Sequence, residues 1–309
     1  MNKKALCLVC ILVCSLLSFL AHGGGRDDMP ASLIRNIPPR PAGGMSGSEF
    51  ARSIDGLHGA EREQLIVEQL KAGNLPGFLR RLAPVHLSQT SGDGRTTTVT
   101  LFVMPDYLSI GSNQDFIRIP MGLHAATTIA DQFGFTLPTR KIVDAIFSQS
   151  AFTLKPEPLP AGAQMRSTAY YLTHNRMIRD QRLALGCPLG ELLSGHKKDV
   201  VLTNRLAGRQ GKVAIYGWHR PSGDPIQPLS TVHGSNYADY SHGIRLISNT
   251  ALLDGQPCSI WTILEDPALA DVLSDEGVIR MARQRIAQVH RQPLQPVGVS
   301  FYPSEGTRF

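Results

Sequence analysis

Three of the ten histidines in this 309-residue chain, His219, His233 and His242, fall between residues 219 and 242. Asp239 lies between the last two, and Tyr237, Tyr240 and Ser241 surround it. Histidine changes charge near neutral pH, passes protons as a general acid or base, and ligates metals in its neutral form. Asp239 is placed to orient an imidazole or to serve as a further ligand. His242 and His233 are therefore the first candidates for acid–base groups, and His219 completes the set. Three histidines and a carboxylate also suit zinc, so His219, His233 and His242 form a candidate metal set, although their spacing matches no zinc signature. Tyr237 and Tyr240 are candidate donors to an oxyanion, and Arg245 is a candidate bidentate holder of a carboxylate. Lys198 and Asp199 are second-rank candidates. The competing reading is structural: such side chains also satisfy one another in a polar loop over a core.

For this group to work, the chain must fold back on itself. His233 and His242 would stand about 30 Å apart in one extended strand. Gly234, Ser235, Asn236 and Gly243 favour a folded loop instead. Val213–Tyr216 reads as a strand ending at Gly217-Trp218-His219, and Gly243–Ile247 as the next. Lys198 and Asp199 open an earlier strand that runs on into Val200, Val201 and Leu202. Strand ends and the loops after them are where scaffolds place working groups. Asp254-Gly255 signals a hairpin leading to a strand over Cys258–Leu264. Asp266-Pro267 reads as the start of a helix, and Gly277–Val289 as a last one.

The first half supplies helices and a hairpin. Ser48-Glu49 opens a short helix, and the run from Glu61 to Lys71 has helical periodicity, stopped by Gly73-Asn74. Thr96–Met104 is a β-branched strand after a Gly92-Asp93-Gly94 turn, and Phe116–Ile119 a second short strand. Asp106, in the connection, reads as a turn cap or as a group lining a site. Ala125–Phe133 is a helix closed by Gly134, and Thr139 caps the next. Ala169–Leu185 is a further helix carrying His174. Pro156, Pro158 and Pro160 stiffen residues 155–163, either as a domain boundary or as a loop within one domain.

The composition, 42% hydrophobic and 18% charged, excludes a disordered or fibrous chain. Lys3 and Lys4 precede an apolar run to Leu20, and Ala21-His22-Gly23 offers a cleavage site, so residues 1–23 read as a secretory signal peptide. Residues 24–47, rich in glycine and proline, read as a flexible linker, and residues 48–309 as one α+β domain. Cys187 and Cys258 would remain in the mature chain. In an oxidising compartment they would form a disulfide or stay as two buried thiols. No Lys/Arg block points to nucleic acid, and no membrane span is expected once the signal is removed.

Two resemblances follow from the motifs. His233-Gly234-Ser235 and Ser241-His242-Gly243-Ile244-Arg245 resemble, over about 15 residues, the His-Gly-Thr and Ser-His-Gly-Cys-Ile/Val-Arg signature of L,D-transpeptidases. The nucleophilic cysteine has no counterpart between Gly243 and Ile244, so the transpeptidase activity does not carry over. More broadly, Pro105-Asp-Tyr-Leu, Leu137-Pro-Thr-Arg-Lys, Lys197-Lys-Asp-Val-Val, Tyr216-Gly-Trp-His and Tyr240-Ser-His-Gly-Ile-Arg-Leu resemble a family of secreted bacterial proteins with no assigned function. That resemblance implies export and one folded unit, and no mechanism.

The sequence thus predicts a secreted or periplasmic α+β protein. Its mixed sheet is expected from residues 96–120 and 197–265, with N-terminal and C-terminal helices packed on it. The leading expectation is a hydrolase with a His/Asp cluster acting on a cell-wall or other extracellular polymer or peptide. The alternatives are a zinc-dependent amidase or peptidase, and a non-catalytic envelope protein that binds glycan or peptide with Trp218 and the tyrosines as stacking surfaces.

Overall fold

The computed structural model describes residues 29–279. The expected signal peptide and most of the helix expected over Gly277–Val289 lie outside the described residues. The helices are α1 (Met29–Leu33), α2 (Gly47–Ser53), α3 (Gly59–Lys71), α4 (Leu123–Phe133), α5 (Arg140–Gln149), α6 (Thr168–Ala184), α7 (Ile260–Glu265) and α8 (Ala270–Leu273). The strands of the first half are β1 (Ala83–Thr90), β2 (Thr96–Val103), β3 (Ser109–Gly111), β4 (Phe116–Arg118), β5 (Phe135–Thr136) and β6 (Phe152–Thr153). Those of the second half are β7 (Leu193–Ser194), β8 (Lys198–Val200), β9 (Ile215–His219), β10 (Pro225–Ser230), β11 (His242–Gly243), β12 (Ile247–Ser248), β13 (Thr250–Leu253) and β14 (Gln256–Ser259). The chain is an α+β fold.

The single mixed sheet expected from the sequence is replaced by two main sheets. The larger is antiparallel, in the order β14-β13-β2-β12-β5, with β1 on β2 as a hairpin. Its core face packs Val99, Leu101, Val103 and Ile247 with Ile129 and Phe133 of α4 and Ile263 of α7. The smaller sheet, β10-β9-β8-β11, is antiparallel except for β8 and β11, which run parallel. It carries most of the candidate residues. Phe116–Arg118 joins neither sheet and pairs only with β3.

Local signals behave as their chemistry dictates. Ser46 and Glu49 form a capping box at α2, Thr139 Oγ1 accepts from Ile142 N at α5, and Gly134 takes a left-handed φ of 79° after α4. After β14 the chain turns helical at Ser259, earlier than expected, because Ser259 Oγ caps α7. Asp266 ends that helix and accepts from Ala268 N, so it caps a turn and opens no long helix.

Two further expectations are corrected. The described part of the 24–47 linker is packed. Ile37 is buried, Arg40 Nε donates to Asn74 Oδ1 and Gly111 O, and Arg80 donates to the carbonyls of Ile37 and Pro38. Arg80, distant in the chain, satisfies loop carbonyls that a tether would leave to water, and Arg40 ties the segment to Asn74 and Gly111. The Cys187–Cys258 disulfide does not form, and both thiols are free. Cys187 packs with Leu154, Ile178 and Leu193, whereas Cys258 sits half-buried on β14. The proline-rich segment 155–163 lies against α6 and the loop before β11. Lys155 N donates to Gln181 Oε1, and Leu159 N to the Tyr240 hydroxyl.

Candidate functional site

The parallel pairing of β8 with β11 sets His242 opposite Lys198 and Gly243 opposite Asp199. Facing residues on neighbouring strands point to the same side, so Lys198 lies beside His242. His242 is fully buried, and neither ring nitrogen has a hydrogen-bond partner among the described residues. Its Nε2 lies 4.0 Å from Asp239 Oδ2, an electrostatic contact too long to be a hydrogen bond. Asp239 is itself held firmly. Its Oδ1 accepts from Ser241 N (2.8 Å) and Ser241 Oγ (2.5 Å), and its Oδ2 from the Tyr237 hydroxyl (3.2 Å).

Burial is the main force on His242 and pushes its pKa down to about 4, against the pull of Asp239 and with help from the Lys198, His233 and Lys197 charges. Desolvation also opposes the charge on Asp239, but His242, the Ser241 donors and Lys198 outweigh it, and the carboxyl lies below its usual range. The site at neutral pH is therefore a neutral imidazole beside an ionised carboxylate. His233, half-buried, stacks on Tyr237 at 4.2 Å and 6° between planes, and its ring centroid is 6.0 Å from that of His242. Burial lowers His233 as well. Lys198 is half-buried with its Nζ 5.3 Å from the Trp218 ring, and burial depresses it too.

The third histidine leaves the group. His219 Nε2 meets Asp144 Oδ1 at 3.0 Å, and its ring stacks on Phe147 at 4.6 Å, so it faces α5. Tyr216 donates to the same Asp144 carboxylate. The strand end before His219 departs from regular alternation, with positive φ at Gly217 (105°) and Trp218 (57°). A non-glycine residue there is strained by about 1 kcal/mol or more. The metal set of His219, His233 and His242 is therefore not assembled. Among the described residues no three His, Cys, Asp or Glu side chains gather where they could hold a metal ion.

Other candidates have structural partners. The Tyr240 hydroxyl is occupied by the backbone of Leu159, which corrects its expected role as an oxyanion donor. Trp218 and Tyr240 are both buried, so the stacking surface expected of them is not exposed. Arg245 donates to Met104 O and Leu193 O beneath the Tyr107 ring and, among the described residues, holds no carboxylate. Asp199, one residue from Lys198, points to the other side. There its Oδ2 accepts from the Tyr107 hydroxyl at 2.8 Å, and burial pushes it up to about 6 against the charge of Arg245.

A second buried network escaped the sequence reading. Asp106 is no mere turn cap. Its carboxylate binds Arg118 through Nε (3.0 Å) and Nη2 (2.5 Å) and meets His196 Nε2 at 3.0 Å, all three residues being buried. Next to it Lys197 Nζ donates to Tyr240 O at 2.6 Å and lies 3.5 Å from His174 Nδ1. Burial drives Lys197 down to about 7 and His174 well below its usual value. The available signal was His196-Lys197-Lys198-Asp199, four ionisable residues running directly into a buried strand.

Comparison of the chain with protein-family models, with curated proteins and with solved structures found no match. No helix among the described residues is long and apolar enough to cross a membrane.

Proposed function

We propose that this protein is a secreted hydrolase of a cell-wall or other extracellular polymer, in which His233 and His242 pass a proton and Asp239 steadies the second imidazole. The observation that carries the reading is His242: a neutral, wholly buried imidazole with both nitrogens unpartnered, next to an ionised carboxylate and behind a half-exposed histidine. Unpartnered buried polar atoms cost stability and are uncommon, so a pair on one ring asks for a role. His233 would meet the substrate or the attacking water, and His242 would exchange its proton. The Ser241 hydroxyl is committed to Asp239 and free cysteines lie elsewhere, so the reading uses water as nucleophile and no covalent intermediate.

The test is release of soluble fragments from isolated bacterial cell walls by the purified protein and by His233→Gln. A general acid–base role predicts a fall of about 10²- to 10⁴-fold in turnover with the fold and unfolding midpoint retained. Equal turnover by the two proteins contradicts it. No fragment release by the wild type from cell walls, or from a panel of extracellular polysaccharides and peptides, removes the hydrolase.

A further inference from the structure

The solvent side of the histidine site carries a cation that nothing in the fold neutralises. Lys198 stands opposite His242 in the β8–β11 pairing and is half-buried. Its ammonium offers three N–H donors, yet among the described residues it makes no hydrogen bond and no ion pair. We propose that Lys198 anchors an anionic substrate: its ammonium takes an oxygen of a carboxylate or phosphate group that the polymer carries beside the bond facing His233.

The ammonium is held in place but not used. Its Nζ lies 5.3 Å from the ring of the buried Trp218, a contact that steadies the charge and leaves its donors unspent. It is also not enclosed. The unpartnered polar atoms sealed from solvent include both ring nitrogens of His242 but not Lys198 Nζ, which therefore reaches the surface. The same holds for His233. Its ring nitrogens make no hydrogen bond among the described residues and, unlike those of His242, are open to solvent. An unpaired ammonium and a neutral imidazole thus share one open face.

The charges around that face favour an anion. Asp239 is the acid that acts on both Lys198 and His233. It is buried, its oxygens accept from Ser241 and Tyr237, and it forms no ion pair with Lys198. Two exposed cations flank the opening. Lys212 Nζ donates to Val232 O at 2.8 Å, one residue before His233, and its charge also acts on His233. Arg166 lies 5.7 Å from the Tyr237 ring that stacks on His233. On the Arg166 side, Glu63 accepts from Gly122 N, and burial pushes its carboxyl up to about 7, so it offsets these cations only in part. A half-buried ammonium without a counter-charge is costly, and an incoming anion relieves that cost. A single ammonium acts as a point charge rather than a fork, so it takes a carboxylate or a phosphate oxygen alike. The role of that anion as part of a substrate rests on the hydrolase reading. The binding itself is measured without turnover, so each can fail alone.

The test is titration of the purified protein at pH 7 and constant ionic strength with N-acetylalanine, glucuronate, inorganic phosphate and the neutral N-acetylalaninamide. It is read by NMR on the His233 ring, whose signals are assigned from His233→Gln. Saturable shifts are expected with the anions, with N-acetylalanine binding about tenfold more tightly than its amide. The tightest of the three anions identifies a peptide, a sugar acid or a phosphate polymer as the source. Lys198→Met keeps an apolar stem against Trp218 and removes the charge, and is expected to weaken anion binding about tenfold. Lys198→Arg keeps the charge over the ring and is expected to restore most of it. A merely structural lysine would move the unfolding midpoint and leave these affinities unchanged. If Lys198→Met does not fold, the acid–amide comparison on the wild type decides. Absence of a saturable anion shift at His233, equal binding of acid and amide, or unchanged affinity in folded Lys198→Met overturns the proposal.

Discussion

Replacing His242 by leucine should leave the protein as stable as before at pH 7.5, or more stable, and should change how stability responds to acid. The imidazole is fully buried with two unpartnered nitrogens. Such groups cost about 1–3 kcal/mol when left unsatisfied, and an apolar side chain of similar volume removes that cost at a repacking penalty below about 1.5 kcal/mol. The acid response follows from linkage. Above pH 6.5 the imidazole is neutral in both folded and unfolded chains and contributes nothing to the pH slope. Below 6.5 the unfolded chain takes up a proton that the folded chain refuses until about pH 4. The wild type therefore loses stability from this group as pH falls through that window, by about 1.4 kcal/mol per pH unit and about 3 kcal/mol in all. His242→Leu loses none of it. His174, His196, Asp199 and Glu63 also titrate with displaced values, but they do so in both proteins and cancel in the difference. Asp239, which loses the pull of His242 in the variant, does not cancel, and because it then binds its proton more readily it widens the gap in the same direction. The assay is urea unfolding between pH 7.5 and 4.5, followed by the fluorescence of the buried Trp218 and Trp261. The gap between variant and wild type should widen steadily on acidification. Parallel curves would refute the placement of His242 as a buried neutral imidazole.

Three other outcomes are expected. Asp106→Ala leaves Arg118 charged in the core and removes the partner of His196, so a loss of about 3–5 kcal/mol is expected in denaturant unfolding, or failure to fold. Gly243→Ala drives a Cβ to within 2.5 Å of Tyr107 Cδ1, on a ring held by Arg245 and Asp199. Overpacking there should cost about 1–3 kcal/mol, readable as a lower unfolding midpoint. With both thiols free, a reductant should leave the midpoint unchanged, and a thiol reagent should modify the half-buried Cys258 in the folded protein well before the buried Cys187.

Features set by near neighbours in the chain were legible. Thr139 caps α5, Gly134 closes α4, and Asp254-Gly255, with φ of 48° and 81°, turns the β13–β14 hairpin. Each depends on two to four adjacent residues whose chemistry admits few alternatives. The pairing of His233 with His242 was likewise signalled by the glycines between and beside them. The rest depended on distant partners. β8 and β11 meet over two residue pairs, too few to leave a periodic trace. His219 was lost from the group because the positive φ of Trp218 breaks a strand pattern, and nothing in the residue type announces that. Asp106 finds Arg118 twelve residues on and His196 ninety residues on, so a carboxylate that looks like a turn cap becomes the centre of a buried ion pair. Residues 34–47 misled for the same reason: proline and glycine suggest a tether, and only Arg80, from elsewhere in the fold, shows that the carbonyls of Ile37 and Pro38 are taken.

The central claim is that His233 and His242 handle one proton together. A double-substitution cycle on cell-wall fragment release, with His233→Gln, His242→Gln and both, measures it most directly. If the two histidines act as a unit, the double variant should be scarcely slower than the slower single variant, because removing either already breaks the relay. Multiplying losses would assign them separate roles, and undiminished turnover in the folded double variant would contradict the account.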